Sequence, residues 1–306
     1  MITVIGEALV DIIVDTQGDV TSVIGGAPLN TARTVARLGV PATFLGGVSV
    51  DAFGERIMRL LDEDGVSLAL GHQVDEPTTL AIATLDSSGA ATYRFMMDGT
   101  SAAAVTPAMA LDHVGPECRA LHVGTLGLVM QPLADASVAV VAAATEDQLV
   151  MVDPNCRPSV MSDSPVFRTA LEAVLRRADV VKVSGDDLEF LFPGVDPLAA
   201  ATALQSDTGA VVLFTDGGRA VQVLGAGELV VIDVPQVPVV DTVGAGDSFS
   251  GGFLAYWMHQ GLGRAELSDG EHVCAAARFG IAVAGITCQR PGADPPRASE
   301  VPGGWQ

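Results

Sequence analysis

Short runs of β-branched residues alternate along the chain with longer segments rich in Ala, Leu and Arg. This alternation predicts an α/β fold with a mainly parallel central sheet. The predicted strands are residues 2–5, 43–48, 120–123, 149–152, 180–183, 211–215, 221–224 and 229–234. The predicted helices are residues 29–38, 53–63, 133–144, 165–177, 198–205, 247–260 and 271–284.

Polar residues stand at the ends of three predicted strands, at Asp153, Ser184 and Thr215. Open α/β sheets bind ligands at the carboxyl ends of their strands. We therefore expect the functional site at this edge of the sheet.

One region departs from the α/β alternation. Residues 78–86 and 91–97 are two extended runs around Ser87-Ser88-Gly89, which predicts a β-hairpin. Together with residues 8–14, the hairpin is expected to form a small second sheet, a lid over the site. We predict a single domain over residues 1–306, with a lid of about residues 8–24 and 77–102 inserted in the α/β core, and an irregular tail from Pro291.

Composition excludes several classes of function. With 16 basic against 37 acidic residues, the net charge of −21 repels nucleic acid and anionic membranes, so neither partner is expected. The four cysteines form no C-x-x-C pair, and no H-E-x-x-H occurs, which indicates free thiols rather than a zinc site. No signal peptide or apolar run of membrane-spanning length is present, so we expect a cytoplasmic protein.

A glycine-rich segment, Gly244-Ala245-Gly246, lies between a short apolar run and the predicted helix 247–260. Small residues at a helix start leave backbone N–H groups open, and the helix dipole adds positive potential, which suits phosphate. The next residue, Asp247, is either an ordinary N-cap or a base beside a phosphoryl group as it transfers.

A second glycine pair, Gly25-Gly26, precedes Pro28, Asn30 and a predicted helix. It is either a plain tight turn or a stretch of bare backbone that, with the Asn30 amide, hydrogen-bonds several hydroxyls.

These two segments resemble the signatures of the PfkB (ribokinase-like) carbohydrate kinases. Residues 241–253, DTVGAGDSFSGGF, resemble the second signature, and residues 25–32, GGAPLNTA, resemble the first. The resemblance implies a ribokinase-like three-layer sandwich with a small β lid and an ATP-dependent sugar kinase. It also implies that Asp247 is the catalytic base and that Gly244, Ala245 and Gly246 stabilise the transferring phosphoryl group.

The resemblance implies further ligands and roles. Magnesium is expected with ATP, with a monovalent cation such as K⁺ in addition, and a homodimer through the lid is a further expectation. Asp187 stands where the family usually has Glu and would hold magnesium through water. The sugar-binding residues would be Asp11, Gly25, Gly26, Asn30 and Arg157, and the nucleotide-binding residues Ser184, Thr215, Gly217 and Gly292.

The sugar is indicated by residues 153–158, DPNCRP, which resemble the D-P-N-x-R-P string of bacterial fructokinases and 2-keto-3-deoxygluconate kinases. We favour D-fructose; 2-keto-3-deoxygluconate, ribose and nucleosides stay open, and Arg157 could also belong to an ordinary surface loop. Met97 and Ala102 stand where fructokinases often carry an arginine and an acid. A catalytically silent sugar- or nucleotide-sensing protein is the alternative of a different class, against which the intact Asp247 argues.

Overall fold

The computed structural model describes residues 1–85 and 91–305. Its larger sheet has nine strands in the order β13-β12-β11-β10-β9-β8-β1-β4-β5, of which all neighbours from β11 to β5 are parallel and β12 and β13 are antiparallel. The strands are β1 (Ile2–Ile5), β4 (Ala42–Leu45), β5 (Val66–Leu68), β8 (Ala120–Gly124), β9 (Leu149–Asp153), β10 (Val180–Ser184), β11 (Val211–Thr215), β12 (Ala220–Leu224) and β13 (Val230–Asp233).

The central strands are apolar on both faces, as β9 shows. Leu149 and Met151 belong to one hydrophobic core, whereas Val150 and Val152 belong to the other, and all four are fully buried. Successive side chains of a strand point to opposite faces, so a continuous apolar run suits a sheet that is covered on both sides.

Helices cover both faces of the larger sheet, which gives the predicted three-layer sandwich. Residues of α1, α2, α9 and α10 belong to one core, and residues of α3 to α8 belong to the other. The helices are α1 (Ala27–Arg37), α2 (Ala52–Asp64), α3 (Pro107–Asp112), α4 (Leu133–Ala143), α5 (Pro158–Met161), α6 (Pro165–Leu175), α7 (Gly185–Leu191), α8 (Pro197–Thr208), α9 (Ala245–His259) and α10 (Gly270–Thr287).

A smaller sheet of four strands, here called the lid sheet, has the order β3-β2-β6-β7. Its strands are β2 (Leu9–Val14), β3 (Val20–Gly25), β6 (Thr79–Leu85) and β7 (Ala91–Met96). The predicted hairpin is confirmed by the antiparallel pair β6 and β7, and the predicted partner strand by β2, which pairs parallel with β6. The expected turn at Ser87-Ser88-Gly89 lies outside the described residues.

Every predicted strand and helix of the α/β core has a counterpart, and the differences lie at their ends. The strand predicted at 43–48 stops at Leu45, because the chain leaves the sheet at Gly46 and Gly47, where the backbone of Ser101 packs against Gly47. Helix α10 continues to Thr287, beyond its predicted end at 284. The tail after Pro291 is irregular apart from a short 3-10 turn at Ala298–Glu300. In the described part of the chain, no helix is long and apolar enough to cross a membrane.

Candidate active site

The strand register brings the three polar residues predicted at strand ends to the same edge of the larger sheet. Ser184 pairs with Thr215, and Asp153 pairs with Gly124, so these polar residues end adjacent parallel strands at the same edge. The lid sheet and the start of α9 line the larger of the two cavities described below, and the start of α9 also lines the smaller one.

The N-terminus of α9 forms the anion loop, residues 244–247. Gly244 is the N-cap residue and has a left-handed backbone (φ 76°), which glycine adopts without strain. No side chain of the described residues caps this helix, so its first turn is open to a ligand. The amide of Ala245 donates to the carbonyl of Thr242 (3.2 Å), which leaves the amides of Gly246 and Asp247 as the main donors.

Asp247 is the third residue of α9, one turn inside the N-cap position that Gly244 occupies. The alternative of an ordinary N-cap is therefore wrong. Its carboxylate is buried and accepts hydrogen bonds from Asn30 Nδ2 (2.9 Å) and Asn155 Nδ2 (3.3 Å). Burial raises the pKa of Asp247, and the Asn30 amide and the Lys182 ammonium oppose that rise. A partly desolvated carboxylate of this kind is suited to accept a proton.

The larger cavity, of about 730 Å³, lies between the lid sheet and the anion loop. All five predicted sugar-binding residues line it, together with Asp247. Phe95 of β7 adds an aromatic side chain from the lid side. The predicted sugar-binding residues at the cavity wall are Asp11, Gly25, Gly26, Asn30 and Arg157.

Asp11 reaches the cavity from β2, the strand that pairs with both β3 and β6 in the lid sheet. A side chain on Gly25 of β3 would overlap the Asp11 carboxylate, so glycine leaves this carboxylate its place at the cavity wall. Burial raises the pKa of Asp11 to about 6, although the positive charge of Arg157 opposes the rise. A carboxylate with these surroundings can accept hydrogen bonds from hydroxyl groups of a ligand.

Arg157 orients Asn155 as well as lining the cavity. Its Nη1 donates to Asn155 Oδ1 (2.7 Å) and to the Asn155 carbonyl (3.1 Å), and Asn155 has a positive φ of 39°. Because the Asn155 oxygen accepts from Arg157, its Nδ2 is left to donate to Asp247. Arg157 thus belongs to the site, and the alternative of an ordinary surface loop is wrong.

The smaller cavity, of about 240 Å³, lies on the other side of the anion loop. Thr215 and Gly217, whose nucleotide binding stays a prediction, line it, and so do the apolar side chains of Phe249 and Ile281. Thr242 and Gly246 line both cavities. The anion loop is therefore the point at which the two cavities meet.

Asp187 and Ser184 form a capping box at the start of α7. The Asp187 carboxylate accepts from the Ser184 amide (2.8 Å), the Ser184 hydroxyl (2.6 Å) and the Cys156 amide (2.6 Å). Burial opposes ionisation of Asp187, but Lys182 and these donors outweigh it and hold its pKa below the usual range. Both oxygens are thus engaged within the protein, and no group of three metal-ligating side chains occurs in the described ranges. Water-mediated magnesium binding by Asp187 stays a prediction.

Gly292 was assigned to the nucleotide from sequence. Its amide donates to Asp241 Oδ2 (2.8 Å), and the next residue, Ala293, lines the larger cavity rather than the smaller one. Ala293 also packs against Gly244, where an added Cβ would lie 2.5 Å from the Ala293 Cβ. The contacts place this segment beside the anion loop. Nucleotide binding by Gly292 and Ser184 stays a prediction, since neither residue lines a described cavity.

Glu7, Asn155 and Lys182 are among the polar residues of the larger cavity that were not assigned from sequence. Burial raises the pKa of Glu7 to about 8, and its Oε2 accepts from the Gly127 amide (3.2 Å). The sequence could have pointed to Glu7 and Lys182. Each is a charged residue at the end of an apolar strand or within one, and such groups are rarely buried without a partner.

Two cavities that meet at an open helix N-terminus, beside a buried carboxylate, define a phosphotransferase site of the sugar kinase class. The PfkB family of carbohydrate kinases matches residues 1–300, and the chain belongs to that family.

Named relatives agree with this assignment. The chain is 32% identical over 259 residues to a fructokinase of Rhizobium leguminosarum bv. trifolii, covering 83% of this chain and 79% of the relative. It is similar in structure to a fructokinase of Xylella fastidiosa with bound ATP (TM-score 0.84, 26% identity, 95% and 93% of the two chains). It is also similar to a putative ribokinase II of E. coli in complex with ATP and Mg²⁺ (TM-score 0.79, 25% identity, 95% and 94% of the chains).

Proposed function

We propose that the protein transfers the γ-phosphoryl group of ATP to a primary hydroxyl of D-fructose. The observation that carries this proposal is the position of the Asp247 carboxylate. It is buried where the two cavities meet, one helical turn from an open helix N-terminus. One cavity would hold the sugar and the other the nucleotide, so that the two reacting groups approach each other at the anion loop.

The residues of the chain divide the work of the reaction. Asp247 accepts the proton of the attacking hydroxyl, and the amides of Asn30 and Asn155 fix the direction of its carboxylate. The amides of Gly246 and Asp247, with the dipole of α9 behind them, stabilise the charge that develops on the transferring phosphoryl group. Asp11 holds sugar hydroxyls from the lid side.

The smaller cavity and the anion loop fit a nucleotide that binds together with a cation. The smaller cavity is largely apolar, which suits a nucleotide base, and its polar end is the anion loop. Magnesium, when bound, neutralises phosphate oxygens and so assists transfer. Its ligands would be phosphate oxygens and water, with Asp187 as the candidate protein contact. A monovalent cation and a homodimer through the lid sheet are parts of the proposal that rest on the resemblance, and a cytoplasmic location is a further part of it.

Fructose is favoured over other acceptors by the names of the relatives. Arg157 uses its Nη1 to hold Asn155 and the Cys156 carbonyl, so part of its guanidinium is committed to the protein. Met97 and Ala102, which replace polar residues of other fructokinases, are packed against the second hydrophobic core and do not line the cavity.

The test is sugar-dependent release of ADP, measured with MgATP at saturation and a panel of fructose, ribose, adenosine and 2-keto-3-deoxygluconate. Fructose should give the highest kcat/KM. A tenfold preference for any of the others would reject fructose while leaving a kinase. ADP release that no sugar stimulates, together with sugar binding by calorimetry, would instead support a silent sensing protein.

A further inference from the structure

Lys182 is the one lysine in the sequence, and it lies inside the protein at the active site. It interrupts a run of three valines in strand β10, Val180, Val181 and Val183, which are fully buried. A buried ammonium is costly unless partners compensate for it. Its presence in a hydrophobic strand therefore needs a reason other than packing.

The ammonium of Lys182 lies directly beneath the anion loop. Its Nζ is 3.2 Å from Asp153 Oδ2, and it is 2.9 Å from the place that a Cβ of Gly246 would occupy. The Ser250 hydroxyl of α9 donates to the same Asp153 oxygen (3.4 Å). Asp153 thus connects Lys182 to the first turns of α9, and the bare backbone of Gly246 leaves room for the ammonium.

We propose that Lys182 is a positioning residue whose ammonium keeps the Asp247 carboxylate in the ionised form that accepts the sugar proton. This inference rests on the proposed function, in which Asp247 is the base. Lys182 acts through Asp247 and does not itself exchange a proton with the substrate.

The charged and titratable groups that face Lys182 come from four elements: His122 of β8, Asp153 of β9, Asp187 of α7 and Asp247 of α9. Burial works against the charge of Lys182, but the three carboxylates outweigh it and raise its pKa. Burial, with the Lys182 charge, lowers the pKa of His122 to about 3, so this imidazole is neutral and does not compete.

The Asp153 carboxyl is the nearest competitor for the lysine charge. Burial raises its pKa to about 6 even though Lys182 is adjacent. The pocket beneath the loop therefore places one ammonium among three carboxyl groups, those of Asp153, Asp187 and Asp247. The attraction between Lys182 and Asp247 opposes the effect of burial on Asp247, and without it the base would hold its proton to a higher pH.

The first test is the pH dependence of kcat in Lys182→Met, which removes the charge and keeps the length of the side chain. A nearby opposite charge lowers a carboxyl pKa by about 1–3 units. We expect the acid-side midpoint of the profile to rise by about that amount, with activity recovering at alkaline pH. Arg177→Met is the matched control, since it removes a paired cation at the opposite edge of the sheet and should leave the midpoint in place.

A loss of activity that is equal at every pH, with an unshifted midpoint, would overturn the inference. A second measurement covers the case in which Lys182→Met does not fold. Lysine labelled with ¹³C at Cε gives a single side-chain signal in this protein, and that signal should show a step as Asp247 ionises. The step should be missing in Asp247→Asn, and identical titrations in the two proteins would overturn the inference.

The two proposals fail in different ways. Full turnover by Asp247→Asn would reject the proposed function. An inactive Asp247→Asn together with an unshifted profile for Lys182→Met would reject only the role of Lys182.

Discussion

Replacing Asp247 with Asn tests the reaction at its centre with little change of shape. The carboxylate accepts two amide hydrogen bonds, from Asn30 at 2.9 Å and from Asn155 at 3.3 Å. An Asn side chain has one oxygen, so it can keep the shorter bond while its NH₂ group faces the Asn155 amide. The variant therefore loses the proton acceptor and the weaker of the two contacts, whereas the cavity keeps its size.

The expected loss follows from general base catalysis, which contributes about 10²–10⁴-fold to rate. Burial already disfavours the charge of Asp247, so its removal relieves a cost in the folded state. We expect kcat to fall by at least about 10²-fold. The melting temperature should stay within about 4 °C of the wild-type value.

The assay is coupled ADP release at saturating fructose and MgATP, with binding of both substrates measured separately by calorimetry. Asp179→Asn is the matched control, because Asp179 is also a buried carboxylate but lies at the far edge of the sheet, where it accepts from Arg177 and Arg264. It should lose about 1.5–3 kcal/mol of stability and keep most of its turnover. An Asp247→Asn protein with more than about a tenth of wild-type kcat would refute the assignment of the base.

Three further predictions concern the larger cavity and its lid. Asp11→Ala should raise the sugar KM by roughly 10–150-fold, for a loss of about 1.5–3 kcal/mol, and leave the ATP KM nearly unchanged; equal losses would indicate a structural role. Amide hydrogen exchange in β6 and β7 should slow when fructose is added, because a closed lid excludes water, and exchange that ignores the sugar would contradict the lid. Glu7 has a folded pKa of about 8. The native state therefore binds an extra proton between its ordinary pKa and pH 8, and stability falls with rising pH in that window. Glu7→Gln removes this fall, so the melting temperature of the variant should rise relative to that of the wild type between pH 5 and pH 8. A difference in melting temperature that stays constant over this range would contradict the burial of Glu7.

The fold was predictable because its signals are local. Each central strand is an apolar run buried on both faces, as in β9. The class of enzyme was predictable for the same reason, because the anion loop and Asp247 are contiguous in the chain. The predicted start of α9 was two residues too late. A glycine in a sequence does not show by itself that its backbone adopts a positive φ, as Gly244 does just before the helix.

The supporting groups of the site were missed because tertiary packing brings them together. Asn155 and Asp247 are 92 positions apart, and the bond between them depends on the backbone turn that follows β9. Asp187 was predicted from sequence to hold magnesium through water, and nothing in the sequence indicated that its two oxygens also accept hydrogen bonds from the Ser184 and Cys156 amides and the Ser184 hydroxyl. Such competition between intramolecular donors and a ligand is decided by geometry and cannot be derived from residue types.

The net charge of −21 would oppose the binding of a polyphosphate if charge acted uniformly over the surface. Salt screens exposed charges beyond about 10 Å, whereas groups inside the cavity act in a medium of lower dielectric constant. Two of the 16 basic residues, Lys182 and Arg157, line the larger cavity, and the open amides of the anion loop add fixed dipoles next to them. The cavity therefore combines a buried base with nearby positive charge. This local arrangement, rather than the total charge of the protein, decides whether an anionic substrate can be bound there. It also decides whether Asp247 is free to accept a proton.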